Sequence, residues 1–104
     1  MNDQTEDILI KLSGDYSIYE IEDKFHEIDM SWMNSSVEKI TFSLDDVDNF
    51  DVTFFQLLMM MKISAISVEK KIIFDVSKKE IIDTAESLLI DGYLEIKQPE
   101  TAEQ

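Results

Sequence analysis

The chain has 104 residues, of which 23 are acidic and 9 are basic, and it carries a net charge of −14 at pH 7. A surface of this sign repels nucleic-acid phosphates and anionic lipid headgroups, so binding to nucleic acid or to a membrane surface is disfavoured and a basic partner is attracted. The chain contains no cysteine, which excludes disulfides, thiolate metal sites and cysteine nucleophiles.

The length favours one domain with a single hydrophobic core. We expect a flexible N-terminus over residues 1–6, a folded domain over residues 7–96 and a disordered tail over residues 97–104. The N-terminus is acidic and lacks the basic and apolar stretches of a signal peptide. The most apolar run, residues 52–66, is interrupted by polar side chains and is too short to span a bilayer. A cytoplasmic location without membrane insertion is therefore expected.

The first half of the chain predicts strands followed by a helix. Residues 8–12 predict a strand that a turn at Gly14 closes, and Tyr16 predicts a brief second strand. Ser17 and Glu20 have the spacing of a capping box at the start of the first helix. The apolar stripe of that helix consists of Ile21, Phe25, Ile28 and Trp32.

The second half predicts two strands, two helices and a last short strand. Residues 39–44 predict a strand, residues 45–51 an acidic loop, and residues 52–66 the second helix. Residues 71–76 predict the third clear strand, placed centrally because it is the most continuously apolar. Ser77 and Glu80 predict a second capping box, and Gly92 predicts the left-handed end of the helix that follows. Residues 93–96 predict the last strand.

This order of elements predicts the fold class. Strands separated by single helices imply right-handed crossovers and a largely parallel sheet. We therefore expect an α/β domain with a mostly parallel sheet of four to five strands and about three helices.

Three stretches, at residues 12–19, 42–51 and 51–58, together resemble the STAS domain family, to which bacterial anti-sigma factor antagonists belong. Residues 12–19 look like the family's opening strand, glycine turn and helix entry, and residues 42–51 look like the strand and loop before its signature turn. Residues 51–58 look like the signature itself, in which Asp and Ser or Thr precede a small residue, Gly and often Gln-Leu-Leu. The chemotaxis-linked branch is the most similar.

The resemblance implies a single STAS-like domain over residues 7–96 that docks a partner. In the family, a kinase of anti-sigma type phosphorylates the hydroxyl that follows the signature Asp, and a phosphatase reverses this. Asp51 matches that Asp, but Val52 stands at the phosphoacceptor position and Phe54 at the usual Gly. No phosphorylation is therefore expected at Val52. Thr53 stays open as a displaced acceptor, although one residue's shift turns a helical side chain by about 100°.

The predicted partner-binding residues lie at the start of the second helix. Asp51 is also a good N-cap by residue type. The second helix has one apolar stripe that must pack on the sheet, formed by Phe54, Leu57, Leu58, Met61 and Ala65. The other stripe is either buried between helices or a Met-rich docking surface, and it is formed by Phe55, Met59, Ile63 and Ile66, with Met60 beside it. The predicted partner-binding set is Asp51, Val52, Thr53, Phe54, Phe55 and Met59.

No catalytic set, cofactor or metal site is expected. The carboxylates of residues 45–51 lack the Gly and Glu of an EF-hand loop, so they predict a solvated acidic loop. His26 is the only histidine, and no Ser, Cys or second His stands at a readable spacing from it. Gly14 and Gly92 are too far apart to form a phosphate-binding loop.

The expected function is a non-catalytic protein-interaction module of bacterial signalling. Its expected partner is an anti-sigma or histidine-kinase-like protein or a chemotaxis protein. The alternative is an accessory subunit of a lipid-transport ABC complex, a role that some STAS proteins have. A phosphorylation-independent decoy or scaffold is a third hypothesis, motivated by Val52. The sequence leaves the partner's identity, the pathway and the oligomeric state open.

Overall fold

The computed structural model describes residues 7–96, so the predictions for residues 1–6 and 97–104 lie outside the described residues. Within the described residues, a parallel three-stranded sheet carries four α-helices, which confirms the α/β class and the parallel pairing. The strands are β1 (Asp7–Tyr16), β2 (Lys39–Phe50) and β3 (Lys71–Asp75). The helices are α1 (Ile21–Glu27), α2 (Val52–Ser67), α3 (Lys79–Ser87) and α4 (Asp91–Leu94), and a 3₁₀ turn at Ser31–Asn34 follows α1.

The sheet has three strands within residues 7–96, where four to five were predicted. Tyr16 ends β1 and forms no strand of its own, because Gly14 adopts a φ of 96° and the strand continues through register shifts around it. Residues 93–96 do not form the predicted strand. Asp91–Leu94 form α4, which buries Leu94. So short an apolar run has too little periodicity to separate a strand from a helix.

Local capping also differs from the sequence-based expectation. Neither predicted capping box forms, because α1 and α3 begin without a side-chain cap. Ser77 instead donates its N–H to Asp45 Oδ1 and its hydroxyl to Asp45 Oδ2, each at 2.9 Å. The left-handed backbone that was expected at Gly92 occurs at Leu89, with a φ of 62°.

The central strand of the sheet also differs from the prediction. β2, and not β3, is central because it pairs with both other strands.

The core lies where the sheet meets α2 and the 3₁₀ turn. Ile40, Phe42 and Leu44 alternate along β2 and are fully buried, which is the pattern of a strand with one face on a core. The Trp32 ring lies edge-on to that of Phe42, with centroids 6.4 Å apart. At the start of α2, four rings pack with centroid separations between 5.3 and 5.9 Å: Tyr16, Phe50, Phe54 and Phe55.

Replacing Gly14 by Ala is expected to lower the free energy of unfolding by about 1–2 kcal/mol. A φ of 96° strains any L-residue, and the added Cβ would lie 2.8 Å from Lys24 Nζ. The lysine end can move, so the backbone strain is the lasting cost. Urea denaturation measures the loss, and Gly92→Ala is the control because a Cβ there meets open space. Equal losses in the two variants would contradict a special requirement at Gly14.

Candidate docking surface

The start of α2 is organised by the Asp51 carboxylate. Oδ1 accepts the Thr53 N–H at 2.9 Å and also the Thr53 hydroxyl, so Asp51 caps the helix. Oδ2 accepts the Ile18 N–H at 2.9 Å, which ties the loop between β1 and α1 to the same helix end. One side chain therefore positions both the loop and the helix. The Thr53 hydroxyl is engaged as a donor in this cap.

Negative charge gathers at this end of the molecule. Hydrogen bonds from the Thr53 hydroxyl and then from the Ile18 N–H hold the pKa of Asp51 below its ordinary value. Asp15 Oδ1 accepts the Ser17 N–H at 2.8 Å and Asn49 Nδ2 at 3.2 Å. The bonds from Ser17 lower the pKa of Asp15 as well. Both carboxylates are therefore ionised at neutral pH.

The side of α2 that points away from the core is largely apolar, and the exposed side chain of Gln56 is a polar residue within it. Val52 is 51% exposed, and Ile63 and Ile66 are each 57% exposed. Val52 and Ile63 are eleven residues apart, close to three full helical turns, and Ile66 follows three residues later, so these side chains lie on one side of the helix. We call the following set the outward face of α2: Val52, Met59, Met60, Ile63 and Ile66. Exposed apolar side chains therefore lie on a helix whose opposite side is already buried in the core.

A groove of about 310 Å³ between α1 and α2 adjoins the outward face. Phe25, Leu57 and Met60 contribute apolar walls, and Glu22 places a carboxylate in its lining. Beyond the start of α2, the loop before α1 exposes the apolar side chain of Ile18. The outward face is therefore continued by an apolar groove and has acidic groups at one end.

The structure divides the predicted partner-binding set. Val52 is exposed, Met59 is half-buried, and Asp51 and Thr53 form the helix cap beside them. Phe54 and Phe55 are 0% and 1% exposed, which corrects the prediction that they contact a partner. Both rings pack with other aromatic side chains in the core and have no free surface to offer.

The second apolar stripe of α2 is also corrected in one member. Phe55 was grouped with Met59, Ile63 and Ile66, but it is buried while both isoleucines are exposed. Ile63 and Ile66 were absent from the predicted partner-binding set, although their spacing placed them in the stripe. The helical period identifies such a stripe, but the burial of Phe55 depends on its packing against the Phe50 and Phe54 rings.

The other candidate groups contribute no site. Asp45, Asp46 and Asp48 lie along β2 and not in the predicted loop. The Asp45 carboxylate accepts the N–H groups of Ser77 and Lys78 just before α3. No group of three or more His, Cys, Asp or Glu that could hold a metal ion occurs within residues 7–96. His26 is exposed on α1, with its ring 5.9 Å from that of Phe25. None of the described helices has the length and apolar character needed to cross a membrane.

Comparison of the chain with protein-family models and with curated proteins finds no match in either.

Replacing Asp51 by Ala is expected to lower the free energy of unfolding by about 1–2 kcal/mol, because the helix loses its cap and the loop loses its tie to Ile18. Chemical denaturation checks this. Asp48→Ala is the control, since Asp48 is an exposed carboxylate on the neighbouring strand. An Asp51 variant as stable as the Asp48 variant would contradict the role of the cap.

The Asp51 cap also makes the free energy of unfolding depend on pH in the acid range. Because the pKa of Asp51 is lower in the folded than in the unfolded chain, its contribution is complete above the ordinary Asp pKa of about 4. The contribution is lost as the pH falls through the lower pKa of the folded state. Asp51→Asn keeps a capping oxygen and cannot titrate. Its melting temperature is therefore expected to fall less than that of the natural protein between pH 5 and pH 2, roughly the window for a depressed Asp pKa. Parallel curves of melting temperature against pH for the variant and the natural protein would refute this.

Proposed function

We propose that the protein is a non-catalytic interaction module that docks a partner protein through the outward face of α2. The observation that carries the proposal is the exposure of Val52, Ile63 and Ile66 on a helix whose opposite side already fills the core. Contiguous exposed apolar patches mark interaction sites in soluble proteins. Met59 and Met60 lie within the face, and methionine side chains adapt readily to a partner's shape.

The partner that we propose is a bacterial signalling protein, either of the anti-sigma or histidine-kinase-like type or a chemotaxis protein. The resemblance of residues 7–96 to STAS antagonists supports this class. Electrostatics supports a partner whose docking surface carries Lys or Arg, because Asp15, Asp51 and Glu22 lie near the outward face and the chain's net charge is −14. Association with such a partner is faster at low salt.

We further propose that docking does not use the phosphorylation switch of the family. Val52 has no hydroxyl at the matching position. Thr53 donates its hydroxyl to Asp51, and a phosphate on Thr53 would bring about two negative charges against that carboxylate. The interaction would then be regulated by the amount of the protein or by its partner.

Affinity purification from the native lysate, at low and at high salt, tests the proposal when mass spectrometry is applied to both partners and bait. The expected result is a kinase-fold or chemotaxis protein that is recovered better at low salt, together with bait unmodified at Thr53. Recovery of ABC transporter subunits would replace the signalling proposal with the accessory-subunit alternative. Stoichiometric phosphothreonine at position 53 would contradict docking without a switch.

A further inference from the structure

The outer edge of β1 is unpaired among the described residues, because β1 pairs with β2 alone. An open edge presents a row of backbone N–H and C=O groups to any strand that can approach it. β1 pairs with β2 in unbroken register from Asp7 to Lys11, and the first shift follows between Lys11 and Ser13. The regular part of the edge is therefore the five-residue segment Asp-Ile-Leu-Ile-Lys.

We propose that this segment pairs antiparallel with the same segment of a second copy of the chain, about a twofold axis at Leu9. A twofold axis perpendicular to the sheet keeps each side chain on its own face, so only residues of equal parity stand opposite one another. With the axis at Leu9, Asp7 of each copy stands opposite Lys11 of the other copy. Ile8 of each copy likewise stands opposite Ile10 of the other. Registers centred on Ile8 or Ile10 would set a charged side chain opposite Leu9.

Exposure and charge both favour this register. Leu9 is 59% exposed, and it is the only large apolar side chain of the three described strands that is exposed. In the dimer Leu9 would stand opposite Leu9 of the second copy. Asp7 already lies beside Lys39, with 3.5 Å between Oδ2 and Nζ, so it would stand between two lysines across three strands. Opposite charges on directly opposed residues stabilise strand pairing.

The product is a continuous six-stranded sheet, with the two copies of β1 at its centre and each β3 at an outer edge. The net charge of −14 on each copy opposes association. The oligomeric state is therefore to be measured at about 0.15 M salt. There the Debye length is about 8 Å, so repulsion between the two copies is screened while the directly opposed Asp7–Lys11 pairs persist. This inference concerns the sheet edge and is independent of the function proposed for α2.

Disulfide trapping tests the register, because the natural chain has no cysteine. Opposed residues in an antiparallel pair have Cα atoms about 4.5–5.5 Å apart, which lies within the range that a disulfide accepts. Leu9→Cys is therefore expected to form a linked dimer under mild oxidation. Ser13→Cys is the matched control, exposed on the same face of β1. In the proposed register its two copies lie about 27 Å apart along the strand, eight residues at about 3.4 Å each.

Each outcome decides the proposal. Linkage of Leu9→Cys alone, with the natural chain at twice 12.1 kDa by light scattering, supports it. A monomeric natural chain, linkage of both variants alike, or linkage of Ser13→Cys alone overturns it. A charge exchange gives a second test: Lys11→Asp is expected to shift the chain to monomer, and the double variant Asp7→Lys with Lys11→Asp to restore the dimer. A dimer that is indifferent to both changes also overturns the proposal.

Discussion

Replacing Phe54 by Ala is expected to lower the free energy of unfolding by about 3–5 kcal/mol, the usual cost of removing a buried aromatic ring. Phe54 is 0% exposed, and its ring centroid lies 5.4 Å from that of Tyr16 and 5.3 Å from that of Phe55. The lost ring would leave a cavity at the junction of β1, β2 and α2. Thermal or chemical denaturation followed by circular dichroism measures the effect.

Phe25→Ala is the matched control for this prediction. It removes the same atoms from a half-buried position on α1 at the edge of the groove, so its cost is expected to be smaller. A Phe54 variant that loses no more stability than the Phe25 variant would contradict the packing described for the start of α2. A small domain is stable by only about 5–15 kcal/mol, so the Phe54 variant would lose a large share of its stability. Loss of partner capture in that variant would therefore reflect unfolding and not the loss of a docking contact.

Replacing Ile63 by Glu is expected to weaken partner capture by about 30-fold or more, the effect of losing an interface residue worth about 2 kcal/mol. Ile63 is 57% exposed in the C-terminal half of the outward face, so a carboxylate there would be desolvated on docking without being buried in the free protein. The stability of the free protein is expected to change by less than about 0.5 kcal/mol. Titration of the captured partner, with a melting curve for each variant, measures both quantities.

Leu89→Glu provides the control for the Ile63 variant. Leu89 is 88% exposed and lies in the turn after α3, outside the outward face. Replacing this exposed leucine by glutamate adds the same charge to the chain as the Ile63 variant does, and it is expected to leave partner capture unchanged. Equal weakening by the two variants would mean that net charge, and not the α2 surface, governs the interaction.

Periodicity in the sequence was enough to predict the α/β class, the parallel pairing and the buried side of α2. The stripe of Phe54, Leu57, Leu58, Met61 and Ala65 is buried throughout, because residues three and four apart on a helix face the same neighbour. Alternation along residues 39–44 located the first half of β2 in the same way, and the succession of strands and helices predicted parallel pairing.

The features that the sequence did not reveal depend on contacts between distant residues. Phe55 is buried because Phe50 and Phe54 surround it, and helical spacing alone groups it with residues that are exposed. Asp45 and Ser77 are 32 residues apart in the chain, so their hydrogen bonds could not be inferred from a local capping pattern. α4 is short, and its position in the core is decided by tertiary packing that local propensity does not encode.

Site-specific photocrosslinking in the native cell tests most directly whether the outward face of α2 is the docking surface. A photoreactive phenylalanine analogue would replace Ile63 in one variant and Leu89 in another, and mass spectrometry would identify the crosslinked proteins. We expect position 63 to crosslink to a kinase-fold or chemotaxis protein and position 89 to form no such adduct. An absence of adducts at position 63, or the same adducts at both positions, would contradict it.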